Sequence, residues 1–297
     1  MKISTIYQSN QMHENQPLNK HTSWRVGGPA KRFYQPDSLV ALQTFLETIS
    51  SDEPILWLGL GSNLLIRDKG FNGTVVSTLS ALESIELKDS TIIRAEAGVS
   101  CAKLARFSAR LGLAGGEFWA GIPGSVGGAL AMNAGCHGGE TWAFVTHIET
   151  LSTDGKLHLR KASEYKVSYR EVIPPAINEC FVAAHFQLPL GKKEASLQKI
   201  KDLLEHRART QPTGDHSCGS VFRNPKGDYA ARLIEASGLK GVRQGGAMVS
   251  HKHANFIVND NQASASDIET LIEHVSVTVE SKFGISLVKE VKIIGDK

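Results

Sequence analysis

AGIPGSVGGALAMNAGCHGG, residues 120–139, holds seven glycines and, apart from one histidine, no acidic or basic side chain in twenty positions. Glycine reaches backbone conformations closed to other residues and lets a ligand approach main-chain N–H groups, which in succession form an anion-binding nest. A second stretch, GLGSNL at 59–64, has the same character. Together they point to a large phosphate-bearing ligand gripped from both sides. The usual fingerprints are missing: GLGSNL does not continue to GxGxxG, and no GxxxxGK[ST] occurs, so a Rossmann dinucleotide fold and a P-loop both lack their signatures. For either loop taken singly, turns and close packing are the competing explanation.

Composition sets the frame around these loops. With 297 residues, 41% hydrophobic and 21% charged, the chain can bury a sizeable core and is long enough for about two or three domains. A net charge of +3 on 33 basic and 30 acidic residues argues against a nucleic-acid or membrane binder while leaving room for a small anion. Cys101, Cys136, Cys180 and Cys218 form no CxxC pair, which argues against a zinc site or redox dithiol and for reduced thiols in a cytoplasm. Neither an export signal nor an apolar run of about eighteen residues is present, and the first twenty or so residues read as a loose arm.

Along the chain, helix and strand patterns alternate without internal repeats. SLVALQTFLETI (38–49) places Leu39, Leu42, Phe45, Leu46 and Ile49 on one helical face, and Ser100 caps a second helix through Leu104, Phe107 and Leu111. Short apolar runs at 55–58 and 64–66 read as strands flanking the first glycine turn. From about 145 to 190 strand signals dominate, with a turn at Asp154-Gly155, and a boundary is expected near PLGKK. Beyond it come helices through LQKIKDLLEHRART, DYAARLIEASG and the Ile268–Val279 register, and strands at ANFIVND and SLVKEVKII.

The ordered set GLGSNLLIRDKGFNGTVV, AEAGV, GIPGSVGGALAMNAG, SYR, CGSVFRNP and KEVKIIG, spanning roughly residues 20–295, resembles the UDP-N-acetylenolpyruvoylglucosamine reductase family, flavoenzymes that make UDP-N-acetylmuramate for peptidoglycan. The resemblance implies an α+β protein: an FAD-binding fold of the p-cresol methylhydroxylase type built from two α+β subdomains (1–78 and 79–190), then a smaller α+β substrate-binding domain (191–297). It also implies non-covalent FAD, NADPH as co-substrate, a UDP-sugar substrate, no metal, and a cytoplasmic place in wall synthesis and hence in cell shape and division. By similarity, Gly59, Gly61, Ser62, Asn63 and Leu64 hold the FAD pyrophosphate on one side. Gly98, Gly121, Ile122, Pro123, Gly124, Ser125, Gly128 and Ala129 hold it on the other.

Reducing an enolpyruvyl ether builds negative charge beside its carboxylate, so the site needs a charge stabiliser and a proton source. Arg170 in SYR is the expected clamp, since guanidinium stays charged and matches carboxylate geometry. Ser220 in CGSVF is the expected proton donor, a weak acid suited to a strongly basic carbanion placed beside it. Glu290 in LVKEVKII, grouped by strand alternation with Val288, Lys292 and Ile294, completes the family set as a carboxyl on a partly apolar face. Tyr169, Asn224, His253 and Asn255 are the substrate-side residues the resemblance implies. Cys218, close to Ser220, reads as packing, and His251 with His253 lack the further ligands a metal needs. Only fifty positions separate Arg170 from Ser220, which fits the short form of the family without a tyrosine-bearing lid, and SYREV lacks a serine often found two positions after the arginine. A flavin oxidase of the same broad fold and a non-enzymatic nucleotide-sugar binder remain the alternatives.

Overall fold

The structure is a computed structural model that describes residues 10–50, 52–79 and 81–297. The chain resolves into two compact units. One comprises residues 1–14, 32–60 and 73–204, and the other 15–31, 61–72 and 205–297.

A four-stranded sheet has the order β1-β2-β5-β3, formed by β1 (Gln11–Pro17), β2 (Pro29–Gln35), β3 (Ile55–Leu58) and β5 (Phe71–Ser77), with β3 and β5 parallel. Residues 11–17 are therefore an edge strand and not the loose arm expected from sequence. The arm's first nine positions lie outside the described residues. QMHENQP is polar on both faces, so periodicity gave no strand signal, and main-chain pairing decides its conformation.

The first unit centres on a five-stranded antiparallel sheet of order β11-β10-β14-β7-β6: β6 (Ile85–Asp89), β7 (Ile92–Glu96), β10 (Val145–Ser152), β11 (Leu157–Lys161) and β14 (Glu179–Gln187). Its inner face packs Ile93, Ala95, Ile148, Ala184 and Phe186 against α2 (Cys101–Arg110), the short α3 (Val126–Ala131) and Trp119. At one end α1 (Leu39–Thr48) adds Leu42 and Leu46 to a smaller core with Val76, Leu151 and Val182. Ser38 and Ser100 cap α1 and α2 through Ala41 N (3.1 Å) and Lys103 N (3.2 Å). Two hairpins, β8 (Gly135–Cys136) with β9 (Gly139–Glu140) and β12 (Lys166–Ser168) with β13 (Glu171–Ile173), complete it.

Helix α4 (Lys193–Thr210) marks a difference from the expected boundary at 190/191. Its first turns belong to the first unit, where Ile200 enters the core and Ser196 Oγ donates to Glu117 Oε1 at 2.6 Å. Lys199 Nζ reaches Glu117 Oε2 at 3.3 Å, and the same oxygen accepts from Gly115 N at 3.1 Å. A buried carboxylate that needs partners thus draws the helix across a boundary that composition alone suggested.

The second unit gathers sequence from both ends. β15 (His216–Ser217), β18 (Ile257–Asn259), β17 (Ala247–Val249) and β16 (Arg243–Gln244) form an antiparallel sheet in that order. Against it lie α5 (Ala230–Ala236) and α6 (Ala265–Phe283), the latter through Ile268, Leu271, Ile272, Val275 and Val279. A capping box of Ser264 and Asp267 starts α6, and Gly284 at φ +67° ends it. Trp24 is fully buried here, its indole N–H donating to Ile257 O at 2.7 Å. β4 (Leu64–Ile66) pairs in parallel with β19 (Lys292–Ile294), so the two strands expected on either side of the first glycine turn enter different sheets.

On the polar face of the five-stranded sheet, Arg94 holds Glu149 through two N–H bonds of 2.7 and 2.6 Å, and His185 Nε2 lies 2.8 Å from the same carboxylate. The hydrogen bonds from Arg94, then His185, lower the Glu149 pKa to about 2, from 4.5. A depressed carboxyl contributes stability that is fully present above its unfolded value and lost as pH falls through the folded one. Urea unfolding should therefore show stability declining between about pH 4.5 and about pH 2. Glu149→Gln should flatten that decline and, with the pair partly solvated, cost only about 1–2 kcal/mol at neutral pH.

Candidate active site

The two glycine stretches meet in the first unit at Gly59 and Ser125. A Cβ at 59 would lie 2.4 Å from Ser125 Oγ, so only a hydrogen fits there. Nearby, Gly98 passes so close to Thr78 and Leu82 that a Cβ would sit 2.4 Å from Thr78 O, and Gly127 abuts Ala97. These glycines thus serve close packing, against side chains at Gly59 and Gly127 and against backbone at Gly98, the explanation that sequence alone left open. Residues 126–131, read as loop, form helix α3 with Ser125 at its N-cap, its Oγ accepting from Gly128 N at 3.3 Å.

Main-chain accounting separates the amides of this segment into two groups. Gly98 N donates to Leu82 O, Ile122 N to Trp119 O, Val126 N to Val99 O, Gly127 N to Ala97 O and Ala129 N to Ser125 O. Gly124 and Ser125 are buried, and among the described residues their N–H groups have no hydrogen-bond acceptor. Two adjacent buried donors without acceptors at a junction of glycine loops fit an anionic group such as a pyrophosphate. Of the other residues expected on this unit, Gly59, Gly98, Gly121 and Gly128 carry no Cβ and Pro123 carries no N–H.

Arg170 lies in the same unit, at the turn of the β12–β13 hairpin, with φ +57°. Its guanidinium donates to Asn133 O at 3.1 Å and to Gly135 O, both within the 120–139 glycine stretch, and stands 4.9 Å over the exposed Tyr169 ring.

The second unit brings Ser220 and Glu290 together. Val221 O accepts from Glu290 N at 2.8 Å, and Arg223 N donates to Val288 O at 2.8 Å, zipping the CGSVF loop against residues 288–290. Glu290 precedes β19 and is not part of it. The buried side chains of this segment are Leu287 and Val291, while Val288 and Lys292 are exposed, so the expected apolar companions of Glu290 are not its surroundings. Asn63 Nδ2 donates to Glu290 O at 3.1 Å and Asn63 O accepts from Lys292 N at 3.0 Å, so this asparagine of the first glycine loop anchors the glutamate segment.

Below Ser220, the Cys218 thiol is buried beside Leu64 O (3.4 Å), and burial pushes its pKa up to about 12, which suits packing and not nucleophilic attack. Asn255, also buried, accepts from Phe222 N at 3.0 Å and donates to Phe222 O at 2.8 Å, while its own carbonyl accepts from Val221 N at 2.9 Å. Its amide acts as a surrogate strand for the Ser220 loop. Asn224 Oδ1 accepts from Ala230 N at 3.1 Å at the start of α5. His253 stands edge-on to Phe256, and its pKa is lowered by burial and then by Lys240, which favours the neutral ring.

Residues 30–159 match the family described as FAD binding domain, and residues 211–294 match that of the UDP-N-acetylenolpyruvoylglucosamine reductase C-terminal domain. UDP-N-acetylenolpyruvoylglucosamine reductase of Legionella pneumophila (strain Corby) is 58% identical over 283 residues, covering 95% of this chain and 92% of its own. The chain belongs to the UDP-N-acetylenolpyruvoylglucosamine reductase family.

The corresponding reductase of Coxiella burnetii (strain Dugway 5J108-111) is 52% identical, with 94% of each chain covered. The crystal structure of UDP-N-acetylenolpyruvylglucosamine reductase from Thermus caldophilus superposes with a TM-score of 0.81 at 32% identity, covering 96% of this chain and 98% of that one. As a member of this reductase family the chain is a flavin-dependent oxidoreductase with an α+β FAD-binding fold and a C-terminal domain. Among the described residues no cluster of three or more His, Cys, Asp or Glu is arranged to hold a metal ion, and no helix is long and apolar enough to cross a membrane.

Sequence reasoning missed Asn133 and Glu117, which bind no obvious chemistry in a motif. The signal for Asn133 was present: an asparagine just after the apolar run ALAM marks a left-handed helix end.

Gly61 offers a direct check on the glycine geometry. It has φ +59°, and a Cβ would lie 2.1 Å from His21 O, whereas Gly238 has φ +76° with open space around it. Gly238→Ala should lower stability by about 1–2 kcal/mol from the left-handed backbone alone. Gly61→Ala adds a backbone clash and should cost more than about 3 kcal/mol or prevent folding, as read by thermal melting of the two variants side by side.

Proposed function

We propose that this enzyme reduces UDP-N-acetylglucosamine enolpyruvate to UDP-N-acetylmuramate, using NADPH, in the cytoplasm. The observation that carries the reading is the 2.8 Å bond from Glu290 N to Val221 O, which sets the segment bearing Ser220 against the segment bearing Glu290 in a family of known flavoenzymes. When bound, FAD would supply the redox chemistry that links NADPH to reduction of the enolpyruvyl double bond. Its pyrophosphate is assigned to the Gly124 and Ser125 amides, with Gly59, Gly98, Gly121, Ile122, Pro123, Gly128 and Ala129 shaping that side. Gly61, Ser62, Asn63 and Leu64 complete the proposed cofactor set.

The protein's own task follows from the charge that develops on the substrate. As the terminal vinyl carbon gains hydride, the adjacent carbon becomes carbanionic and shares its charge with the carboxylate. Arg170 offsets that charge through a guanidinium already held by two carbonyls. Ser220 gives its hydroxyl proton to the carbanionic carbon, which forms the new C–H bond and completes the reduced product. Glu290 is assigned to stabilising the enolate-like intermediate. Tyr169, Asn224 and His253 are assigned to binding the sugar nucleotide, and Asn255 to fixing the Ser220 loop. We retain 1–78, 79–190 and 191–297 as the functional division into two cofactor subdomains and a substrate domain.

Anaerobic stopped-flow absorbance separates the two half-reactions. The visible flavin band should bleach with NADPH and return with the enolpyruvyl substrate. In Ser220→Ala the bleaching should persist while the return slows by about 10³-fold or more, the scale of a lost proton donor. Glu290→Gln should likewise slow the return more than the bleaching. A band that returns with oxygen and not with substrate would identify an oxidase, and normal turnover by Ser220→Ala would remove the serine from the mechanism.

A further inference from the structure

Arg170 occupies a costly position. The pairing of Ser168 with Glu171 makes Tyr169 and Arg170 the two central residues of the hairpin turn, and only the second has positive φ. That is the type II pattern, in which glycine or asparagine normally takes the place held here by arginine. A long side chain with about 2 kcal/mol of rotamer entropy must also be confined if its charge is to act as a fixed clamp.

One residue contributes to that confinement at two points, beside the bond from the guanidinium to Gly135 O. Asn133 is 2% exposed and has φ +44°. It ends α3 in a Schellman arrangement, with Asn133 N donating to Leu130 O at 3.4 Å and Ala134 N to Ala129 O at 2.9 Å. Its Oδ1 accepts from Trp142 N at 3.1 Å, and its Nδ2 donates to Glu140 Oε2 at 3.0 Å and to Ser168 O at 3.1 Å. Its own carbonyl receives the Arg170 guanidinium at 3.1 Å. Asn133 therefore grips the arginine hairpin twice: the main chain through Ser168, two positions before Arg170, and the charged head through its carbonyl. Glu140 and Trp142 brace the amide from the far side.

We propose that Asn133 is a positioning residue for Arg170, holding the guanidinium in the orientation in which it meets the developing enolate. This rests on the assignment of Arg170 to that role. An asparagine suits the task because it tolerates a left-handed backbone while offering one acceptor and two donors in a plane. Glycine keeps the backbone and removes the bridge, whereas aspartate keeps shape and backbone tolerance but sets a carboxylate against Ser168 O and Glu140.

The test is a double-mutant cycle on the two half-reactions, with Asn133→Gly and Asn133→Asp each made alone and with Arg170→Ala. Asn133→Gly should slow flavin reoxidation by substrate by about 10-fold or more while changing reduction by NADPH by less than about 3-fold. In the Arg170→Ala background it should add less than about 3-fold, because the group it positions is gone. A second readout, the side-chain ¹⁵N NMR signals of Arg170 assigned with Arg170→Lys, should broaden in Asn133→Gly. Asn133→Asp should reproduce both changes, and it carries the test if Asn133→Gly does not fold. Equal slowing of both half-reactions, an undiminished effect in the Arg170→Ala background, or unchanged Arg170 signals would overturn the proposal. If Arg170→Ala alone leaves reoxidation intact, the assignment of Arg170 fails, and that is seen before Asn133 is changed.

Discussion

Between Gly59 and Ser125 there is space for a hydrogen atom and no room for a methyl group. Beside that approach Ser125 caps α3, the 97–99 segment bonds the start of α3 through Val126 N and Gly127 N, and among the described residues the Gly124 and Ser125 amides have no acceptor. In the proposed assignment the surface offered to the cofactor is a product of tight packing, and the charge it presents is the partial charge of two N–H groups in low dielectric.

The same economy of side chains holds around the proposed chemistry. Ser220 is set between a buried thiol at Cys218 and a Val221–Phe222 pair held by Asn255, and Glu290 is registered by main-chain bonds. Reacting groups are carried on irregular segments, yet each segment is tied by hydrogen bonds on both sides to a core strand, helix or buried amide. Precision comes from these ties, because a loop with its polar groups unsatisfied would drift.

Much of this was legible beforehand. The helices at 39–48, 101–110, 193–210, 230–236 and 265–283 follow from apolar period and caps such as Ser38 and Ser100. The two glycine stretches stood out by composition, and the order of motifs named the family. What stayed hidden has physical reasons. β1 is polar on both faces, so no hydrophobic alternation announces it. Helix α3 is six residues long and contains two glycines, so propensity argues against it while tertiary packing forms it. Glu290 falls just outside a strand whose sequence alternation extends to it, because the pairing with β4 begins only at Lys292. The roles of Asn133 and Glu117 depend on bonds to residues at 140–168 and 196–199, and no local window contains them.

The burial of Trp24 places a constraint on how the protein is made. Its indole donates to Ile257 O, 233 positions later in the chain, and its core neighbours include Leu233, Ile257 and Ile272. At ribosomal speeds of about 5–20 residues per second, roughly 10–50 s separate the emergence of that tryptophan from the arrival of its acceptor. During that interval the nascent amino-terminal segment carries an indole with nowhere to bury. A chaperone that shields such segments, and codon usage that shortens the wait, would bear on the yield of active enzyme without touching any residue of the catalytic machinery.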